Sequence, residues 1–192
     1  MIPVVKAPEP KDFDKKVRKR GNNFLARNPT ALSKDFPPYW QEIQKDLWDA
    51  YSGVCAYLAI YYRFGTGASS VDHFVPKSQD RNLTYEWDNY RLSCLKLNRD
   101  KNAKNILDPF KLHQNSFFIN FLDGSVYPNP NEDPAYQKDC QNTIDALDLN
   151  NQNHCDMRIE HYTYYKNKDF TLSFLKKKSP FVYCEIIRQN LQ

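Results

Sequence analysis

Three features of the sequence predict an α+β fold. The first is a pair of β-prone segments, residues 70–76 (Ser-Val-Asp-His-Phe-Val-Pro) and 87–92 (Trp-Asp-Asn-Tyr-Arg-Leu), with the helix-like residues 98–104 close behind. The second is the turn sequence Leu122-Asp123-Gly124-Ser125 between Phe117-Phe118-Ile119-Asn120-Phe121 and Val126-Tyr127, which reads as a hairpin. The third is the recurrence of Trp40, Ile43, Leu47 and Tyr51 at helical spacing.

Taken in order, the chain first offers residues 11–20, with six basic and two acidic side chains and with Phe13 and Val17 four apart. That pattern predicts a short basic helix whose charged face is solvated, with phosphate contact as the functional alternative. Asn28-Pro29 and Phe36-Pro37-Pro38 interrupt the chain, because the residue before proline is pushed out of the helical region. Residues 39–51 are expected to form a helix with its aromatic stripe in the core, ended by Ser52-Gly53. Tyr61-Tyr62-Arg63-Phe64 is expected to pack beside the strand pair. Beyond the hairpin, Asn129-Pro130 and Asp133-Pro134 mark a loop, and helices are expected over 135–147, 152–165 and 181–191. His154 and His161 read as surface histidines there, and Lys176-Lys177-Lys178 as a solvated charge run. The expected organisation is an N-terminal extension over 1–50, a core over 51–110 and a C-terminal hairpin with helices over 111–192, packed with the core as one unit.

Composition narrows the class. The chain of 192 residues is 41% apolar and 15% aromatic with only five glycines, which excludes a long disordered or low-complexity protein. No apolar run reaches the length of a membrane-spanning helix, and the first residues lack the basic start and apolar stretch of a secretory leader. Cys55, Cys94, Cys140, Cys155 and Cys184 are odd in number and widely spaced, which suits reduced thiols and a cytoplasmic location. A net charge of +4 is compatible with a nucleic-acid partner but is weaker than the footprint of a dedicated binder.

The chemistry concentrates in residues 55–104. Asp72-His73 is followed sixteen residues later by Asn89, nine after that by Asn98 and three further on by Lys101. A neutral imidazole can take a proton from water near pH 7, and a carboxylate with an amide oxygen can share a hard divalent cation. Together these are the requirements of phosphodiester hydrolysis. Singly, each residue has an ordinary structural use, Asn98 as a helix cap and Asn89 as a turn former.

Asp72-His73, Asn89 and Asn98-Arg99-Asp100-Lys101 resemble the motif of the HNH (His-Asn-His) endonucleases, over about fifty of the 192 residues. The resemblance implies a ββα-metal core in which His73 activates water, Asp72 and Asn98 bind Mg²⁺ or Mn²⁺, and Asn89 braces the loop that orients His73. With the resemblance, Lys101, Lys77 and Arg99 are candidates to meet the phosphate. The downstream pattern, an aromatic strand pair followed by residues 144–150 and Arg158, is similar to small standalone bacterial HNH proteins that accompany antiphage ATPases or retrons. DNA as substrate and an ATPase as partner are what this resemblance implies. The alternative is an HNH-like module that binds nucleic acid or a partner without cleaving.

Many HNH proteins also carry two Cys-x-x-Cys zinc knuckles. Here Cys55 is followed at the matching position by Leu58, and Cys94 by Leu97, so half of each knuckle is apolar. Two thiolates do not close a tetrahedral zinc shell. A hydrophobic plug in place of structural zinc is expected, with His113 or Cys140 as the remaining route to a complete site.

Overall fold

The computed structural model describes residues 1–66 and 68–192. They fall into two compact units, each assembled from separated stretches of chain. One comprises Lys6–Gly53 and Arg63–Ala103, the other Met1–Val5, Val54–Tyr62 and Lys104–Gln192. The expected boundaries at residues 50 and 110 do not coincide with this division. Of Tyr61-Tyr62-Arg63-Phe64, expected beside the strand pair, Arg63 and Phe64 belong to the unit that holds it and Tyr61 and Tyr62 to the other, where Val54 and Tyr61 bridge across the tight turn at Ala59 and the Tyr61 N–H donates to the Lys178 carbonyl at 2.9 Å.

In the first unit, a wide turn over Asp14–Arg18 runs into α1 (Lys19–Arg27). The predicted apolar face is present. Phe13 and Val17 are fully buried, and the Phe13 ring meets Trp87 and Tyr90 edge-on at 5.6 and 5.8 Å. Much of the basic face is paired internally, Arg18 with Glu9 and Glu86, Lys19 with Asp14, and Arg20 with Glu42, while Lys11 and Lys15 stay exposed. The helix expected over 39–51 is divided. After Pro37-Pro38, residues Tyr39–Ile43 wind as a tighter 3-10 turn, and only Gln44–Ala50 form the α-helix α2. Ile43 and Leu47 are buried as expected, but the tighter winding removes Trp40 from their line, leaving it half-exposed.

β1 (Ser69–His73) pairs antiparallel with β2 (Tyr90–Cys94), with Val71 opposite Leu92, Asp72 opposite Arg91 and His73 opposite Tyr90. β2 passes directly into α3 (Leu95–Lys101), which gives the order strand, loop, strand, helix. The strands are shorter than the β-prone segments. The first ends at His73 in a bend over Phe74-Val75, and Trp87–Asn89 form a 3-10 turn before the second.

In the second unit, β3 (Phe117–Ile119) and β4 (Val126–Pro128) form the expected hairpin. α4 (Pro134–Ala146) is capped by the Asp133 side chain, α5 (Gln152–Lys166) by Asn151 and α6 (Leu172–Lys178) by Thr171. α7 (Pro180–Arg188) opens on proline. The buried Arg158 guanidinium donates to the Gly124 and Leu149 carbonyls, both at 2.8 Å, and so fixes the hairpin turn against α5. The lysine run 176–178 lies in the last turn of α6, where cations are favoured by the exposed carbonyl end of the helix. Among the described residues, no helix is long and apolar enough to cross a membrane.

Candidate functional site

A cavity of about 730 Å³ in the first unit is walled by Asp72 and His73 from β1, Lys77 from the following loop, Asn98 and Arg99 from α3, and Trp40 from the 3-10 turn. Four residues of the motif and the phosphate candidate Lys77 therefore border one space. Asn89 and Lys101 lie behind it, both buried.

His73 ends β1, and its Nε2 lies 3.0 Å from the Thr84 carbonyl oxygen. A carbonyl only accepts, so Nε2 carries the hydrogen and Nδ1 keeps its lone pair. The same oxygen accepts from the Tyr90 hydroxyl at 2.8 Å. Trp40 and Tyr90 enclose the ring edge-on, with centroids 4.7 and 5.1 Å away. This burial disfavours the charged imidazolium, and the nearby Lys77 cation disfavours it further. The Thr84 bond opposes the two only in part, and the pKa falls from 6.5 to about 3. His73 is thus a neutral imidazole through the physiological range, oriented by a backbone acceptor that sequence spacing does not reveal.

Asn89 supplies that orientation at one remove. Its Oδ1 accepts from the Val75 N–H at 2.7 Å, and its Nδ2 donates to the Val75 and Leu83 carbonyls at 3.0 and 3.1 Å. Its own carbonyl accepts from the Phe74 N–H at 2.8 Å. One buried amide thereby ties the chain just after His73 to the chain just before Thr84.

Asp72 is 2% exposed, and one of its oxygens, Oδ1, lies 3.1 Å from the Lys101 ammonium. The ammonium also donates to the His73 carbonyl at 2.9 Å. Lys101, expected at a phosphate, is instead fully buried and turned toward β1. Lys77 and Arg99 do border the cavity. Lys77 is half-buried with its Nζ 4.3 Å from the centre of the Trp40 ring, and Arg99 is exposed. Desolvation lowers the Lys77 pKa. Asn98 donates from Nδ2 to the Ser70 hydroxyl at 2.5 Å and to the Val71 carbonyl at 3.4 Å, which leaves its Oδ1 outside those bonds.

A carboxylate and an amide oxygen on one cavity wall suit a hard, oxygen-seeking ion such as Mg²⁺ or Mn²⁺ better than a softer metal. The Lys101 charge works against such an ion. Among the described residues, no group of three or more His, Cys, Asp or Glu side chains converges as a metal site. The half-knuckles are distributed over both units. Cys55 and Leu58 are buried in the tight turn of one, and in the other Leu97 is fully buried on α3 while Cys94 ends β2.

The sequence reading placed Trp40 in the core and gave Thr84 no role. Trp40 shares its helical stripe with core residues, and only the 3-10 winding after Pro37-Pro38 turns it to His73. Thr84 acts through a backbone oxygen, which no side-chain pattern marks. No family model matches this chain, and a search of curated proteins found none that does.

Proposed function

We propose that this protein is a metal-dependent endonuclease that hydrolyses DNA phosphodiester bonds with HNH-type chemistry. The observation that carries the reading is the cavity on which an oriented, neutral His73 stands beside two oxygen-bearing side chains and two cations. His73 accepts a proton from the attacking water at Nδ1. Thr84 stabilises the positive ring that results, through the Nε2 hydrogen, while Asn89 holds both ends of the loop. Lys77 and Arg99 draw the phosphate into the cavity and offset its charge. A Mg²⁺ or Mn²⁺ ion held by Asp72 and Asn98 would supply Lewis-acid stabilisation of the departing 3′ oxygen. The setting is cytoplasmic, in keeping with five free cysteines, and the resemblance to defence-associated HNH proteins makes an ATPase the proposed partner.

One observation favours a second reading. Asp72 is engaged by a buried lysine, as expected of a module that keeps the fold and binds nucleic acid without cleaving it. Incubation with supercoiled plasmid and Mg²⁺ or Mn²⁺, beside His73→Ala and a chelator control, separates the two. Nicked or linear product that both controls abolish supports the nuclease. Plasmid binding without metal-dependent product supports the module, and equal cleavage by His73→Ala removes His73 from the mechanism.

A further inference from the structure

The Lys101 side chain is fully buried at the last turn of α3, with the Asp72 side chain that it meets only 3% exposed. Two of its three ammonium hydrogens are committed, to Asp72 Oδ1 at 3.1 Å and to the His73 carbonyl at 2.9 Å. Lys101 follows Asn98 by three residues, so the two share a helix face and engage β1 in succession, Asn98 at Ser70 and Val71 and Lys101 at Asp72 and His73. Arg91, opposite Asp72 in the ladder, donates to the Asp88 and Tyr90 carbonyls at 2.8 and 3.0 Å. The Phe74 ring lies 4.9 Å from its guanidinium and 5.6 Å from the Lys101 ammonium. The carboxylate that the nuclease reading gives to a metal thus already has a cation on it, in a place with almost no water to screen the charges.

We infer that Lys101 is a positioning residue that serves as an internal counter-ion for Asp72, holding the end of β1 in shape while no divalent ion is bound and competing with that ion for the carboxylate. The inference rests on the metal reading of Asp72 above. A divalent ion arriving at Asp72 meets the buried ammonium, and the repulsion is relieved once a substrate phosphate brings negative charge to the cavity. The DNA-free protein therefore binds the ion weakly, and metal and DNA bind cooperatively.

The test is titration of the full-length, DNA-free protein with Mn²⁺, following free Mn²⁺ by electron paramagnetic resonance. Lys101→Gln keeps a hydrogen-bond donor but removes the charge. It should tighten Mn²⁺ binding about tenfold or more, the factor given by ~1.4 kcal/mol of relieved repulsion, and the added change Asp72→Asn should abolish the gain. Equal affinity in wild type and Lys101→Gln overturns the inference and leaves the metal reading standing. Absence of Mn²⁺ binding in both proteins overturns the two together. Should Lys101→Gln not fold, the wild type decides, because a buried ammonium exchanges slowly enough for its ¹⁵N resonance to be followed. Mg²⁺ should shift or broaden the Lys101 signal, and a signal unchanged in the Mg²⁺-bound protein overturns the inference.

Discussion

His73 has one ring nitrogen committed to Thr84, and it stays neutral because packing against Trp40 and Tyr90 and the nearby Lys77 cation disfavour the charged ring. An ordinary histidine would titrate near 6.5, and a base with that pKa would lose activity through mild acid. With the folded value lowered to about 3, the metal-free protein should show His73 ring NMR shifts that stay flat from pH 8 down to about 4. A midpoint near 6.5 would mean that the ring is open to water. The sign for stability follows. The unfolded ring takes up a proton near 6.5 and the folded ring does not until about 3, so stability drains as pH falls between those values. Asn89→Ala tests the bracing directly. It leaves a part-buried Val75 N–H and two part-buried carbonyls without their partner, which should cost about 1 to 3 kcal/mol in urea unfolding; a loss below about 0.5 kcal/mol would show that the loop holds without it. The resemblance to the HNH motif is what singled out Asp72, His73, Asn89 and Asn98, and the fold brings Asp72, His73 and Asn98 to one cavity with Asn89 buried behind it. Lys101 was legible too, had the three-residue interval from Asn98 been read as a shared helix face rather than as proximity to phosphate.

The elements were readable where local chemistry and packing agree, as at the hairpin around Gly124 and the helices opened by Asp133-Pro134 and Asn151. They were misread where packing overrides the pattern. The stripe from Trp40 to Tyr51 has helical spacing, yet Pro37-Pro38 lead into a 3-10 turn that shifts its first residues out of phase. α6 was not expected as a helix, because the lysine run 176–178, solvated as its charge implies, masks the Thr171 cap and the Leu175 anchor in the core. Gly21 in α1 is a further case. Helix propensity favours alanine by about 1 kcal/mol, but a Cβ there would lie 2.0 Å from the Tyr85 ring. That ring is fully buried beside Tyr39 and Trp40, so it has little room to retreat. Gly21→Ala should lower stability by about 1 to 3 kcal/mol, the usual cost of overpacking, and should disturb Trp40 fluorescence. An unchanged or raised melting temperature would show that Tyr85 shifts freely.

Across the molecule, the charge that the sequence presents as a single excess of +4 is unevenly committed. The most basic stretch is bound up with Glu9, Asp14, Glu42 and Glu86, and Lys6 and Lys96 are likewise paired, with Asp88 and Asp100. Composition cannot show this, because it counts charges without their neighbours, and it cannot show that residues 54–62 belong with the C-terminal half of the chain. The cavity cations Lys77 and Arg99, by contrast, have no ion pair among the described residues, so in the nuclease reading they are free to displace counterions from a DNA backbone at the site. Each phosphate so neutralised contributes about −0.9 to the slope of log affinity against log salt, and two contacts give a slope of about −2. DNA binding measured by fluorescence anisotropy between 50 and 200 mM salt, where the Debye length is on the order of 10 Å, should follow that shallow slope. Lys77→Ala should reduce it by about one contact. A slope of about −5 or steeper would locate the DNA on lysines outside the cavity, with the run 176–178 on α6 as the next surface to mutate.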